Sequence, residues 1–414
     1  MSSATSSAAT SRYRRTVERW CASPVRLGIS CGAAGVCFAV LRLAVAGRGN
    51  VASFIVAGSS DVRRSRLPPG IPVVQGRGYD GEFYYRLALN PLDWGHSAFG
   101  IDLDTVYRID RIGYPALAWL VAGGHASYVP AALVAVNVAA LGALGGFGAA
   151  LARTAGRQPM WGLALAGYWG LLWSLGRDLT EVVTAAAIVG GLLALRRDRP
   201  LLAAAALTVA VLSRESALVL VAALGLARLL QWARSAAGAS PPRRALCPRS
   251  GRSGPSTLDL AWVVPLLAFV AWEGAVDART GRLPLTASQA SNVGAPFVGF
   301  ARGFAHYLHL LPAGAALLWF AELTLLVLVG AMAAMSYRGS EAFLHERLAW
   351  LGYGLLTIAL APSIWLGDVG FRSLVEFYLF SWLLLLCSRR RLGVPAGLLA
   401  VAWLVVCMEL VVNI

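Results

Sequence analysis

The sequence predicts an all-α membrane protein of about eleven transmembrane helices, with a large first outer loop that carries interfacial helices. Three observations predict it. Of the 414 residues, 57% are hydrophobic and 14% charged, and mean hydropathy is +0.64, outside the range of an ordinary soluble domain. Apolar runs recur from residue 25 to the C-terminus, several close to the ~20 residues that cross ~30 Å of hydrocarbon. Arginine clusters fall at alternate ends of those runs, which by the positive-inside rule assigns sides to the loops.

Residues 1–24 are Ser-rich and basic, and are expected to be a disordered cytoplasmic tail. The run 25–46 is too long for a signal-peptide core and has no cleavage pattern after it, so it is read as a retained first span. Everything from 25 to 414 is then one polytopic domain. After an outer loop at 47–113 and a short apolar stretch at 114–123, suited to the interface, further spans are expected at 129–151, 161–175, 179–195, 201–212 and 217–230. A Pro/Ser/Arg-rich flexible cytoplasmic linker at 233–256 follows. The remaining spans are placed at 258–272, 311–335, 348–366, 373–387 and 394–412, with 273–309 as a second outer segment.

The formal charge of +15 comes from arginine alone, since the chain has no lysine. These arginines lie between apolar runs rather than on one aromatic-rich surface, which argues against a nucleic-acid partner. The six cysteines form no CxxC pair, so neither a disulfide framework nor a zinc site is indicated. No cofactor is expected, and no ligand cluster calls for a divalent metal.

With these sides assigned, the ionisable residues that are awkward in a membrane converge on the outer face, and an outward-facing polar cavity is expected. The outer loop contains Gly78-Tyr79-Asp80-Gly81-Glu82-Phe83-Tyr84-Tyr85 and Tyr107-Arg108-Ile109-Asp110-Arg111. Asp80 or Glu82 would be a general base, with Asp80 preferred, and Tyr79, Tyr84 and Tyr85 would stack on or hydrogen-bond a sugar. Arg108, Arg111, Arg177 and Arg372 suit a phosphate, to which a guanidinium presents a fork of donors. Asp178, Glu181, Arg214 and Glu215, at the outer ends of short spans, complete the substrate-binding set. Asp110, between two arginines, is expected to organise ion pairs.

These patches, together with Arg177-Asp178-Leu179-Thr180-Glu181, Ser213-Arg214-Glu215-Ser216-Ala217 and the late Arg372, resemble the GT-C class of bacterial polytopic glycosyltransferases. The resemblance implies a many-helix fold whose first outer loop carries an acidic catalytic residue. It also implies a polyprenyl-phosphate-linked sugar donor and inverting transfer to a glycan, lipid or protein acceptor outside the plasma membrane. Asp80 matches the base of that class. Glu82 stands where glutamine or a second acid is common, so the division of labour between the two carboxylates stays open. An outward-facing transporter of a polar or anionic solute and a purely structural membrane protein are the competing readings.

Overall fold

The computed structural model describes residues 20–237 and 256–401, save 368, 395 and 398. Helix dominates. The α-helices are α1 (Pro24–Val45), α2 (Gly81–Leu89), α3 (Gly113–Val121), α4 (Val129–Thr154), α5 (Leu163–Ala166), α6 (Gly170–Leu175), α7 (Glu181–Arg196) and α8 (Pro200–Ser213). They continue as α9 (Leu218–Ala236), α10 (Leu260–Thr280), α11 (Pro284–Asn292), α12 (Val298–His309), α13 (Gly314–Ser336), α14 (Leu344–Ile358), α15 (Pro362–Gly367) and α16 (Val375–Leu386).

Among the described residues five helical segments are long and apolar enough to cross a membrane: Pro24–Val45, Ala126–Thr154, Glu215–Ala236, Thr257–Thr280 and Gly314–Ser336. They answer to the apolar runs expected from 25, 129, 217, 258 and 311. The runs expected at 179–195, 201–212 and 373–387 form the shorter helices α7, α8 and α16, and two further runs differ from expectation. The run 161–175 is broken into a 3-10 turn and the short helices α5 and α6, because Gly162, Gly167 and Gly170 interrupt it. The run 348–366 is cut at Pro362 into α14 and α15, since proline cannot continue the hydrogen-bond ladder. The tail at 1–19, most of the linker at 233–256 and most of the last run at 394–412 lie outside the described residues, although α9 runs on through Ala236. The segment 273–309, expected to lie outside, is helical, formed by the end of α10 with α11 and α12.

Small residues set the closest helix approach. A Cβ on Gly28 of α1 would stand 2.9 Å from the Gly142 carbonyl of α4. Gly28/Gly32 facing Gly142/Gly146 is the small-xxx-small pattern that lets two backbones touch where lipid gives no hydrophobic drive to association.

Two cores result. One, rich in Leu, Trp and Ala, fills the helix bundle. The second lies under the outer loop, where Phe83, Tyr84, Tyr85, Leu87 and Ile109 pack with Tyr114 and Leu133. Little strand is needed to fold this loop: Ala57–Gly58 pairs in parallel with Val73–Val74, and Ser97–Ala98 pairs antiparallel with Ile101–Asp102. At the far end of α7, Arg196 binds Glu346 of α14 at 2.8 Å, and Glu346 has no solvent exposure. That pair ties α7 to α14 across the bundle.

Candidate functional site

The segment leading into α2 is shaped by backbone contact. A Cβ on Gly78 would lie 2.4 Å from the Gly58 amide nitrogen, and one on Gly81 would lie 2.3 Å from the Arg177 carbonyl oxygen. A side chain at Gly81 would push α2 off the turn before α7, and one at Gly78 would push the loop off its own Gly58 strand. Asp80 sits at the N-cap of α2, and its backbone carbonyl accepts from Phe83 and Tyr84. Its side chain makes no capping bond, which leaves the carboxylate for other partners.

Those partners are two arginines from opposite ends of the chain. Arg108 Nη1 is 2.9 Å from Asp80 Oδ1, and Arg372 Nη2 is 3.5 Å from Oδ2. Arg372 also donates from Nε to the Tyr79 hydroxyl at 3.1 Å and from Nη1 to Glu181. Glu181 is fully buried at the start of α7 and accepts from Ser174 Oγ at 3.1 Å. Arg214, at the end of α8, lies 3.5 Å from Glu181 and 3.6 Å from Glu376, too far for good hydrogen bonds. Ser216 closes the row by donating to Glu376 at 2.7 Å. Asp80, Arg372, Glu181, Arg214 and Glu376 thus form a continuous line of alternating charge from the outer loop into the bundle.

A second group flanks the first. Arg111 donates to Glu215 from Nε at 3.0 Å and from Nη2 at 2.9 Å, and to the Tyr84 hydroxyl at 3.1 Å. Tyr107 also donates to Glu215 and accepts from Arg111. Arg108 is anchored by Asp104 through two bonds of 2.9 and 2.8 Å and lies over the Phe83 ring, 4.6 Å from its centroid. Arg177 stacks between Trp173, at 4.4 Å, and Tyr79, at 5.3 Å, a geometry worth up to ~2 kcal/mol when desolvated.

The two acids of the outer-loop motif are in opposite electrostatic states. At Asp80, burial would raise the pKa, but Arg108, then Arg372 and Arg111, pull it down to about 2. Asp80 is therefore ionised at any physiological pH. At Glu82, burial dominates and raises the pKa to about 7, against the lowering effect of the Gly58 N–H that Oε2 accepts at 2.8 Å. The raised value favours the protonated form in the fold. Its contribution to stability is complete below the ordinary value of 4.5 and is lost as pH rises through about 7. Glu82→Gln, which keeps the acceptor for Gly58, is expected to abolish this dependence. Wild type should lose ~3 kcal/mol relative to the variant between pH 4.5 and 8. Melting in detergent against pH checks it, and parallel curves for the two proteins would contradict it.

Several sequence expectations are redistributed. Tyr85 is a core residue with no polar contact to the cluster, because its position on α2 faces the second core. Glu82 is buried on the Gly58 side, away from the ion-pair line. Asp178 adopts φ +52° and is buried, with Arg42 of α1 as its electrostatic partner rather than any cluster residue. Asp110 bonds neither flanking arginine; it lies against Glu273 of α10, and burial, then Glu273, push its pKa above the carboxylate range. The expected polar cavity is not the large one. A cavity of about 750 Å³ is lined mostly by apolar side chains, and no cluster residue lines it. The charges neutralise one another directly instead.

Asp104, Tyr107, Ser174 and Ser216 bond cluster side chains although the sequence reading assigned them no role, and Glu376 was expected only among the charges facing the outer side. For Asp104 the spacing to Arg108, four residues, was a usable signal. Among the described residues no three His, Cys, Asp or Glu side chains gather as a metal ion would need. No protein-family model matches the chain, and no curated protein or solved structure matches it.

Proposed function

We propose that this protein is an integral-membrane glycosyltransferase of the GT-C type. It would move a sugar from a polyprenyl-phosphate-linked donor to an acceptor on the outer face of a bacterial plasma membrane. The observation that supports this reading above the others is Asp80: an ionised carboxylate, 19% exposed, bridged to Arg108 and Arg372 beside Tyr79. Its neighbours combine the two things the reaction needs, a proton acceptor and donors for a phosphate leaving group.

In this mechanism the acceptor hydroxyl gives its proton to Asp80 as its oxygen bonds the anomeric carbon. The bond from that carbon to the donor phosphate breaks, and the lipid phosphate leaves with the electron pair. Displacement from the opposite face inverts the anomeric centre. With a pKa near 2, Asp80 is a weak base while both arginines hold it. A donor phosphate that takes over Arg372 and Arg108 would relieve that hold, so donor binding itself would raise the basicity of Asp80. Glu82 has a role in the fold only. Counted with the broken runs and the run 394–412, the topology would have about eleven spans, with the N-terminus cytoplasmic.

One observation favours the rival reading of a solute transporter. Glu181, Arg214 and Glu376 continue the ion-pair line into buried positions, as a charge pathway would. The deciding experiment supplies radiolabelled sugars on polyprenyl phosphate to membranes carrying the wild-type protein. Label is expected in an envelope-glycan fraction. Unconsumed donor, together with uptake of anionic solute into vesicles, would replace the transferase with the transporter.

A further inference from the structure

The apolar cavity of about 750 Å³ is a trough between α3, α4, α7 and α8. Along α7 its floor is Val183, Ala187, Gly190 and Ala194, one helical stripe of mostly small side chains. From Val183 to Arg197 the stripe rises through fourteen residue steps, ~21 Å at 1.5 Å per residue, more than half the ~30 Å of a bilayer core. Phe147 of α4 forms a wall at Gly190, where a Cβ would meet its ring at 3.0 Å. The trough ends at Arg197 and Arg199.

Both guanidinium groups are exposed, and neither makes an ion pair or side-chain hydrogen bond among the described residues. The adjacent Arg196 differs: Glu346 occupies it. Asp198 between them is exposed and does not line the trough. An apolar channel with two unpaired guanidinium groups at its mouth matches one chemistry, an acyl chain that carries a phosphate.

The cluster around Asp80 does not share this trough. At 100° per residue Val183 is ~200° around α7 from Glu181, so the trough lies on the opposite helix face. Its charged mouth is also at the other end of α7 from Glu181.

We propose that the trough binds an anionic phospholipid of the leaflet on the far side from Asp80, with its acyl chain along α7 and its phosphate on Arg197 and Arg199. This ligand is separate from the sugar donor, and the inference does not rest on the transferase reading.

The test uses the full chain, purified and delipidated in detergent, then titrated with palmitoyl-oleoyl phosphatidylglycerol or phosphatidylcholine. Native mass spectrometry counts retained lipid, and melting reports stabilisation. Wild type is expected to retain phosphatidylglycerol about thirtyfold more strongly than phosphatidylcholine, from two arginines at ~1 kcal/mol each. Arg197→Gln with Arg199→Gln should erase the preference, and Ala187→Trp, which fills the trough, should reduce retention of both lipids. Both arginine side chains are exposed, so that variant is expected to fold. Equal retention of the two lipids by wild type, or an unchanged preference in the arginine variant, would overturn the proposal. So would an equal melting shift from soluble glycerol 3-phosphate, which would mean a free-phosphate site.

Discussion

Asp80→Asn is expected to lower sugar transfer by about 10²- to 10⁴-fold, the usual cost of losing a general base, while the protein stays inserted at normal level. Asparagine keeps the size of the side chain but cannot take a proton. The scaffold should survive because both arginines keep other acidic partners: Arg108 holds Asp104 at 2.8 Å, and Arg372 holds Glu181. Glu82→Gln is the internal control, with near wild-type transfer, since Glu82 accepts from the Gly58 amide and makes no ion pair with Arg108 or Arg372. Transfer by Asp80→Asn at the wild-type rate would remove Asp80 from the chemistry. Loss in Glu82→Gln alone would reassign the base.

The second large effect concerns Glu181. It has no exposure and faces both Arg372 and Arg214. Glu181→Gln leaves two arginines at low exposure with less counter-charge than they need, and breaking a buried pair from one side costs about 3–5 kcal/mol. Melting should fall accordingly. Adding Arg372→Met to that variant should recover part of the loss, because the uncompensated cation is then gone. Single losses that simply add in the double variant would show that the two side chains are not coupled in the folded protein.

The membrane character, the first span and the outer-loop motif were legible because they depend on local properties: run length, hydropathy and charge. The expectation that Asp80, Arg108, Arg372 and Glu181 belong together also came from sidedness alone. What sequence could not supply was direction. Glu82 and Asp80 are two residues apart, yet close packing of Gly58, Gly78 and Gly81 sends one carboxylate to a backbone amide and the other to two arginines. Asp178 was likewise expected in the substrate-binding set beside Glu181, but it adopts φ +52° and has Arg42 of α1 as its electrostatic partner. Run lengths misled where glycine or proline divided an apolar stretch, as before α6 and at Pro362.

The distance in sequence between Tyr79 and Arg372, 293 residues, has a consequence for biogenesis. A growing chain reaches the membrane from its N-terminus, so Asp80 and Glu181 are delivered long before the ribosome has made Arg372. Until that late segment arrives, Asp80 and Glu181 lack one of their two guanidinium partners. Truncation or stalled insertion short of Arg372 would leave helices in the bilayer without the pairs that Arg372 makes to Asp80 and Glu181.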